Sequence, residues 1–265
     1  MAPSFSTITL TTDFGMSDGY VGIVKGVILS INPHVSLIDC SHDIASWDIA
    51  AAAWVLWNTH RFFAPGTIHL CVVDPAVGSQ TQRGVAIVKD DAIFVGPDNG
   101  IFSHVMQMPA SIRQCYQLID STYWRQDVSS TFHTRDIYGP VCAHLSKGVP
   151  IADFGPEIPA ETIKRIDLPE FSQSGTGQHG CIVYIDKFGN LISNIPGDTV
   201  KKGQTCFIDD KAAGTIGTTY ADARKGQPAV FVGSHGFVEI GAYQDSAQAI
   251  FAAKVGATVR AELKP

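Results

Sequence analysis

One change of pattern along the chain limits its fold more than any other feature. From Phe5 to about Gly155 short β-branched runs alternate with helical stretches, whereas beyond Gly180 only short strands with turn residues between them follow one another. Alternation of the first kind builds a layered α/β sheet, and a succession of short strands builds a sandwich or barrel. Between them lies DLPEFSQSGTGQHG, Asp167 to Gly180, whose Gly, Ser, Gln and Pro content reads as a linker. The expected organisation is an α/β domain over 1–168, a linker over 169–179 and a smaller all-β, barrel-like domain over 180–265. A chain of 265 residues is long enough for two such cores.

Within the first part STITLT (Ser6 to Thr11) reads as the opening strand, and Asp18 to Ile31 as a helix with Ser17 at its N-cap and Pro33 beyond its end. HVSLID reads as a second strand and the Ala-rich stretch from Ser46 to His60 as a buried helix. TIHLCVVD is apolar on both faces, which predicts a central strand. AIVKDDAIFV has the form of a hairpin turning at Asp90-Asp91, and RDIYGPVCAHLSKG reads as helix despite Pro140. In the second part CIVYID, LISNI, QTCFID, PAVFVG, GFVEIG and ATVRAEL are the expected strands.

Composition narrows the function classes. A net charge of -6 leaves no basic footprint for nucleic acid or anionic lipid. Charged residues are 17% of the chain, against roughly 25% in an average soluble domain, which predicts surface covered by another subunit. The six cysteines form no C-x-x-C pair and read as buried thiols of a cytoplasmic protein. The longest apolar run, Ile49 to Trp57, is less than half a membrane span. No histidine pair has H-x-x-x-H or H-x-H spacing, so no metal is expected. The common signatures for dinucleotides, nucleoside triphosphates and serine hydrolases are also missing.

Acidic residues gather where strands end: Asp13 after the first, Asp74 after the third, and Asp98 in GPDNG after the hairpin. In open α/β sheets ligands lie beyond the carboxyl ends of the strands, so the three could line one cleft. Any one of them alone would serve as readily as a turn or cap residue. His133, in the polar run TFHTRDIYGP ahead of a helix, could project into the same cleft. IDKFGN, Ile185 to Asn190, is by itself a hairpin turn.

Taken in order, TTDFG at 11–15, SWD at 46–48, VDPAVG at 73–78, GPDNG at 96–100, TFHTRD at 131–136, IDKFGN at 185–190 and GSHGFVEI at 233–240 form a set. Their order and spacing resemble the S-adenosyl-L-methionine (SAM) hydroxide adenosyltransferases, the adenosine-forming SAM hydrolases, which are relatives of the SAM-dependent fluorinase and chlorinase. The resemblance runs from Thr7 to about Ala261.

The resemblance implies an enzyme that uses SAM as substrate with no cofactor, and a homotrimer with active sites between subunits. It implies a catalytic set of Asp74, Arg83 and His133. It places Asp13 on the ribose hydroxyls, with Trp47, Phe188 and Tyr220 around the nucleoside and Asn190 at the adenine edge. Asp186 would meet the methionine ammonium, and Ser234 with His235 the carboxylate, with Glu239 in the same substrate-binding set. The halogenating relatives lack the Asp and His, and they carry an insertion before GPDNG where this chain has only the KDDAIF turn. The chain departs from the usual hydrolase pattern in Pro-Ala after Asp74, in a longer loop to Arg83, and in HTRD for HGRD. A halogenase, or a protein that binds SAM or adenosine without turnover, are the alternatives the residues leave open.

Overall fold

The computed structural model describes residues 7–107, 112–175 and 177–262, so Ser6 and Leu263 of the expected strands lie outside the described residues. The chain divides into two compact units, Met1–Ile166 and Asp167–Pro265.

The first unit is built on six strands: β1 (Thr7–Thr12), β2 (Ser36–Ser41), β3 (Thr67–Val72), β4 (Gly84–Lys89), β5 (Ala92–Pro97) and β6 (Ile112–Gln117). Their order is β2-β1-β3-β5-β4-β6. The first four in that order run parallel, and β4 is antiparallel to both β5 and β6. All six residues of β3 are buried, as its apolar faces predict. Alternation along it divides the core. Ile68 and Leu70 pack with Val24 and Ile28 of α1 (Tyr20–Ile31) and Val141 of α3 (Gly139–Ser146), while Cys71 packs with Ala52 and Leu56 of α2 (Ile49–His60). Helices thus cover both faces of the sheet, the arrangement that parallel strands require.

Three local expectations change. Ser17 does not cap α1, which begins after Gly19 with no side-chain cap. The second helix starts at Ile49 rather than Ser46 because Trp47 takes a left-handed φ of 68° and Asp48 becomes the cap, accepting the Ala51 N–H at 2.8 Å. Ahead of α3 the chain makes a π-helical turn over Thr134–Tyr138. Pro140 then lies in the first turn of α3, where no intrahelical N–H is missed.

The second unit contains β7 (Ser172–Ser174), β8 (Gly177–Ile185), β9 (Leu191–Pro196), β10 (Thr205–Ile208), β11 (Lys211–Thr215), β12 (Pro228–Val232), β13 (Phe237–Ala242) and β14 (Thr258–Glu262), with a short α4 (Ala247–Phe251). The path β11-β10-β14-β8-β9-β13-β12 is antiparallel throughout, and a parallel bridge from Ile216 to Val230 joins its two ends into a nearly closed barrel. Ile182, Leu191, Ile195, Val238, Ile240 and Val259 fill the interior. β7 pairs with β8 inside the stretch expected as linker. All six cysteines are free, with Cys40 and Cys181 half-buried and the others buried.

Candidate active site

β1 and β3 are parallel neighbours whose last residues, Thr12 and Val72, are register partners. The loops that leave their carboxyl ends therefore emerge side by side. Asp13 is the first residue of one loop, and Asp74 lies just inside the other. Both line a cavity of about 190 Å3, together with Phe14, Trp47, His133 and Tyr138. The structure thus brings Asp13, Trp47, Asp74 and His133 together. Asp13 also shapes the rim, since its Oδ2 accepts the Trp47 N–H at 3.0 Å.

Two devices fix the third loop, which carries His133. Gly78 has φ +78°, and a Cβ there would stand 2.0 Å from the Ser130 carbonyl oxygen, so only glycine lets the Asp74 loop lie against residues 129–133. Asp136 is fully buried behind that loop. It takes Arg135 Nε and Nη2, both at 2.7 Å, Arg125 Nη1 at 3.2 Å and the Ser129 N–H at 2.9 Å. Burial pushes its carboxyl up, but the Arg135 and Ser129 bonds outweigh it and hold the pKa below the usual range. Aromatic edges of Phe14, Tyr20 and Phe132 pack with centroids 5.4–6.1 Å apart beside it.

Asp74 is a carboxylate under tension between opposing effects. Burial raises its pKa, the Ala76 N–H on Oδ1 at 3.1 Å and the nearby His133 lower it, Asp13 raises it, and the Gln82 side chain lowers it; the net direction is up. Tyr138 is pushed higher still, by burial and then by the Asp74 charge. A carboxylate lifted in this way is a better proton acceptor than a surface one.

Arg83 and Asp98 stand elsewhere. Asp98 is fully buried and holds Arg83 Nε at 2.7 Å and the Lys164 N–H at 2.8 Å, while Arg83 Nη2 donates to the Thr162 carbonyl at 2.6 Å. Neither lines the cavity. The expected three-acid cleft is therefore a two-acid cleft, because Asp98 is turned inward to neutralise Arg83.

In the second unit the expected residues form one hydrogen-bonded chain. Asp186 Oδ1 accepts the Phe188 and Asn190 N–H groups, each at 2.9 Å, which closes the turn and leaves the Phe188 ring exposed. Asn190 Nδ2 donates to Asp186 Oδ2 at 2.8 Å and to the Tyr220 hydroxyl at 3.0 Å. That hydroxyl donates to Glu239 Oε1 at 2.7 Å, and Glu239 Oε2 lies 2.9 Å from His235 Nε2. Burial and then the Glu239 acceptor push the Tyr220 pKa upward. With both amide hydrogens used, Asn190 has its Oδ1 left to offer. Ser234 is exposed beside this chain. Sequence reasoning passed over Gln82 and Tyr138, since neither an amide nor a core-like tyrosine carries a motif.

A roomier cavity of about 650 Å3, lined in part by Pro65, Val88, Ile93 and Val149, opens at the amino ends of β3 and β5, away from Asp13 and Asp74. Its charged lining, Asp90, Asp91 and Arg113, includes an Asp91–Arg113 pair at 3.3 Å. Among the described residues no His, Cys, Asp and Glu group could hold a metal ion, and no helix is long and apolar enough to cross a membrane.

Comparison with known proteins gives a consistent answer. An (R)-S-adenosyl-L-methionine hydrolase of Salinispora tropica is 32% identical, covering 91% of each chain. A fluorinase of Actinoplanes sp. is 26% identical, covering 88% of this chain and 89% of that one. The crystal structure of an uncharacterised conserved protein from Thermotoga maritima superimposes with a TM-score of 0.90 at 27% identity, covering 97% of this chain and 100% of the other. The SAM hydroxide adenosyltransferase N-terminal domain matches residues 8–155 and its C-terminal domain residues 180–260. With most of its length accounted for by both halves of that pattern, the chain belongs to the SAM hydroxide adenosyltransferase family.

Proposed function

We propose that the protein hydrolyses S-adenosyl-L-methionine to adenosine and L-methionine. Water attacks C5′ in line with the sulfonium. The oxygen–carbon bond forms as the carbon–sulfur bond breaks, and the bonding pair leaves on sulfur as a neutral thioether, so no general acid is required. Asp74 takes the proton from water and His133 orients the attacking oxygen. Asp13 binds the ribose hydroxyls beside Trp47. Positioned proton transfer contributes typically 10²–10⁴-fold, and alignment for in-line attack about 7–11 kcal/mol. The observation that carries this reading is the joint lining of one cavity by Asp74, His133 and Asp13.

Asp186, Phe188, Asn190, Tyr220, Ser234, His235 and Glu239 hold the rest of the substrate, with the Asp186 carboxylate toward the ammonium and away from sulfur. A carboxylate at sulfur would stabilise the sulfonium ground state, whose charge is lost as the neutral thioether departs. SAM is the substrate and no cofactor takes part. The protein acts as a cytoplasmic homotrimer, in which one subunit contributes Asp13, Trp47, Asp74 and His133 and its neighbour the Asp186 set. Exposed Met16, Tyr20, Ile23 and Leu29 around α1, the exposed Trp47 and Phe188, and six free thiols support this reading.

The test is incubation of the pure protein with SAM, alone and with chloride or fluoride, with products separated by chromatography. Adenosine and methionine are expected in every case. A 5′-halo-5′-deoxyadenosine product, or tight SAM binding with no methionine released, would overturn the reading. Asp74→Asn and His133→Ala are expected to lower kcat by at least about 100-fold while SAM affinity stays within a few-fold. Equal loss of binding and rate would remove both from the chemistry.

A further inference from the structure

We propose that the Gln82 side-chain amide is the positioning group for Asp74, in the place the family resemblance gives to Arg83, so that a neutral donor orients the carboxylate. The inference rests on the hydrolytic reading above and adds a residue to it.

The loop from Asp74 to Gln82 is a ladder of turns. The Val77 N–H reaches the Asp74 carbonyl at 3.4 Å, Ser79 reaches Ala76 at 3.1 Å, and Gln82 reaches Ser79 at 3.2 Å, which folds the chain back on itself. As it straightens toward β4, successive side chains point to opposite sides. Arg83 goes with Val85 to the α2 side, where it meets the buried Asp98. Continued back one step from β4, the alternation puts Gln82 with Gly84 and Ala86 on the other side, and its side chain acts on Asp74. There a Cβ on Gly84 would meet the Tyr138 ring at 2.6 Å, and Tyr138 lines the cavity.

Gln82 Nε2 and Asp74 Oδ2 are both buried and neither has a hydrogen-bond partner outside the pair, so each is left to the other, the donor and the acceptor of one loop. Arg83 cannot serve both carboxylates. Its guanidinium is spent on Asp98 and the Thr162 carbonyl, and withdrawing it would leave Asp98 charged and buried without a cation. The groups acting on Asp74 are then His133, Asp13 and Tyr138, with the Ala76 N–H and the Gln82 amide. An amide in place of a guanidinium aims the carboxylate without stabilising its charge as strongly, so Asp74 keeps its basicity toward water.

The experiment measures kcat and KM for SAM across pH on the full-length protein, together with the 13C titration of the Asp74 carboxyl. Gln82→Ala is expected to lower kcat about tenfold with KM within about twofold, and to move both the acid limb of kcat and the Asp74 titration to higher pH, because a donor to the charged form is gone. Gln82→Arg is expected to move both to lower pH. Arg83→Lys is expected to lower the melting temperature and leave both titrations where they stand. Limbs unmoved by either Gln82 substitution, or moved by Arg83→Lys, would overturn the inference. A wild-type protein that releases no adenosine would overturn the hydrolytic reading alone, since the Asp74 titration still decides the role of Gln82.

Discussion

At Asp74 burial disfavours the charged form and Asp13 adds repulsion, with the Ala76 N–H, His133 and Gln82 opposing them. A raised folded pKa means that the native state binds the proton more tightly than the unfolded chain does. Stability is therefore lost as pH rises from the ordinary value of 3.8 through the raised one, and stays lost at neutral pH. Asp74→Asn is accordingly expected to raise the melting temperature at pH 7 by up to a few degrees, with the gain vanishing below the ordinary carboxylate range. Equal melting temperatures at pH 7 would mean that the carboxylate carries no strain. The sequence announced Asp13, Asp74 and His133 because each stands in a loop motif at a strand or helix end. It could not announce Gln82, whose importance comes from the neighbour Arg83 being committed to Asp98 fifteen residues away, a pairing that appears only once β4 and β5 are laid side by side.

At the scale of elements, β1 and β3 are joined by more than their backbone ladder. Thr9 and His69 are register partners, and Thr9 Oγ1 lies 2.8 Å from His69 Nδ1, while the His69 ring stacks on Phe94 of β5 at 5.0 Å. Burial, then the nearby His60, lowers the His69 pKa to about 3. Because the unfolded chain protonates this histidine near 6.5 and the native state does not, stability falls as pH drops from 6.5 toward 3, by about 1.4 kcal/mol per pH unit from this residue. His69→Gln is expected to flatten the plot of unfolding free energy against pH between 6 and 4 by that slope, as read by urea titration. Parallel plots for the two proteins would show that His69 is not the group responsible. The buried, β-branched strands were legible, β3 most of all. The unread strands are β7, inside the expected linker, and β6 and β11, terminal in their sheet paths, whose apolar pattern is interrupted by Arg113, Gln114 and Gln117 in one and by Lys211 and Gly214 in the other. The left-handed Trp47, whose backbone N–H is held by Asp13, is likewise set by a tertiary contact and not by local propensity.

For the whole molecule, the change of pattern near Asp167 was plain in the sequence, since periodicity reports layer architecture directly. Oligomer number was not, because it depends on a rotation between copies that no periodicity records. The proposed division of each site between subunits has its own signature. Asp74→Asn and Asp186→Ala proteins are each expected to be inactive, and to regain activity when mixed under conditions that exchange subunits, since a mixed assembly contains sites with both carboxylates intact. No recovery after exchange has been verified by mass, or full activity of a monomer by light scattering, would count against shared sites.

The Trp47 side chain, 73% exposed on a residue whose backbone N–H is tethered to Asp13, supplies an optical gauge of occupancy. Of the four tryptophans, Trp54 is buried and Trp57 and Trp124 are half-buried, so an aqueous quencher such as acrylamide reaches Trp47 first. An adenosine analogue resting against the indole would shield it, and the quenching constant would fall as the site fills. The fall should disappear in Trp47→Phe, which makes emission a titration of binding that does not depend on turnover.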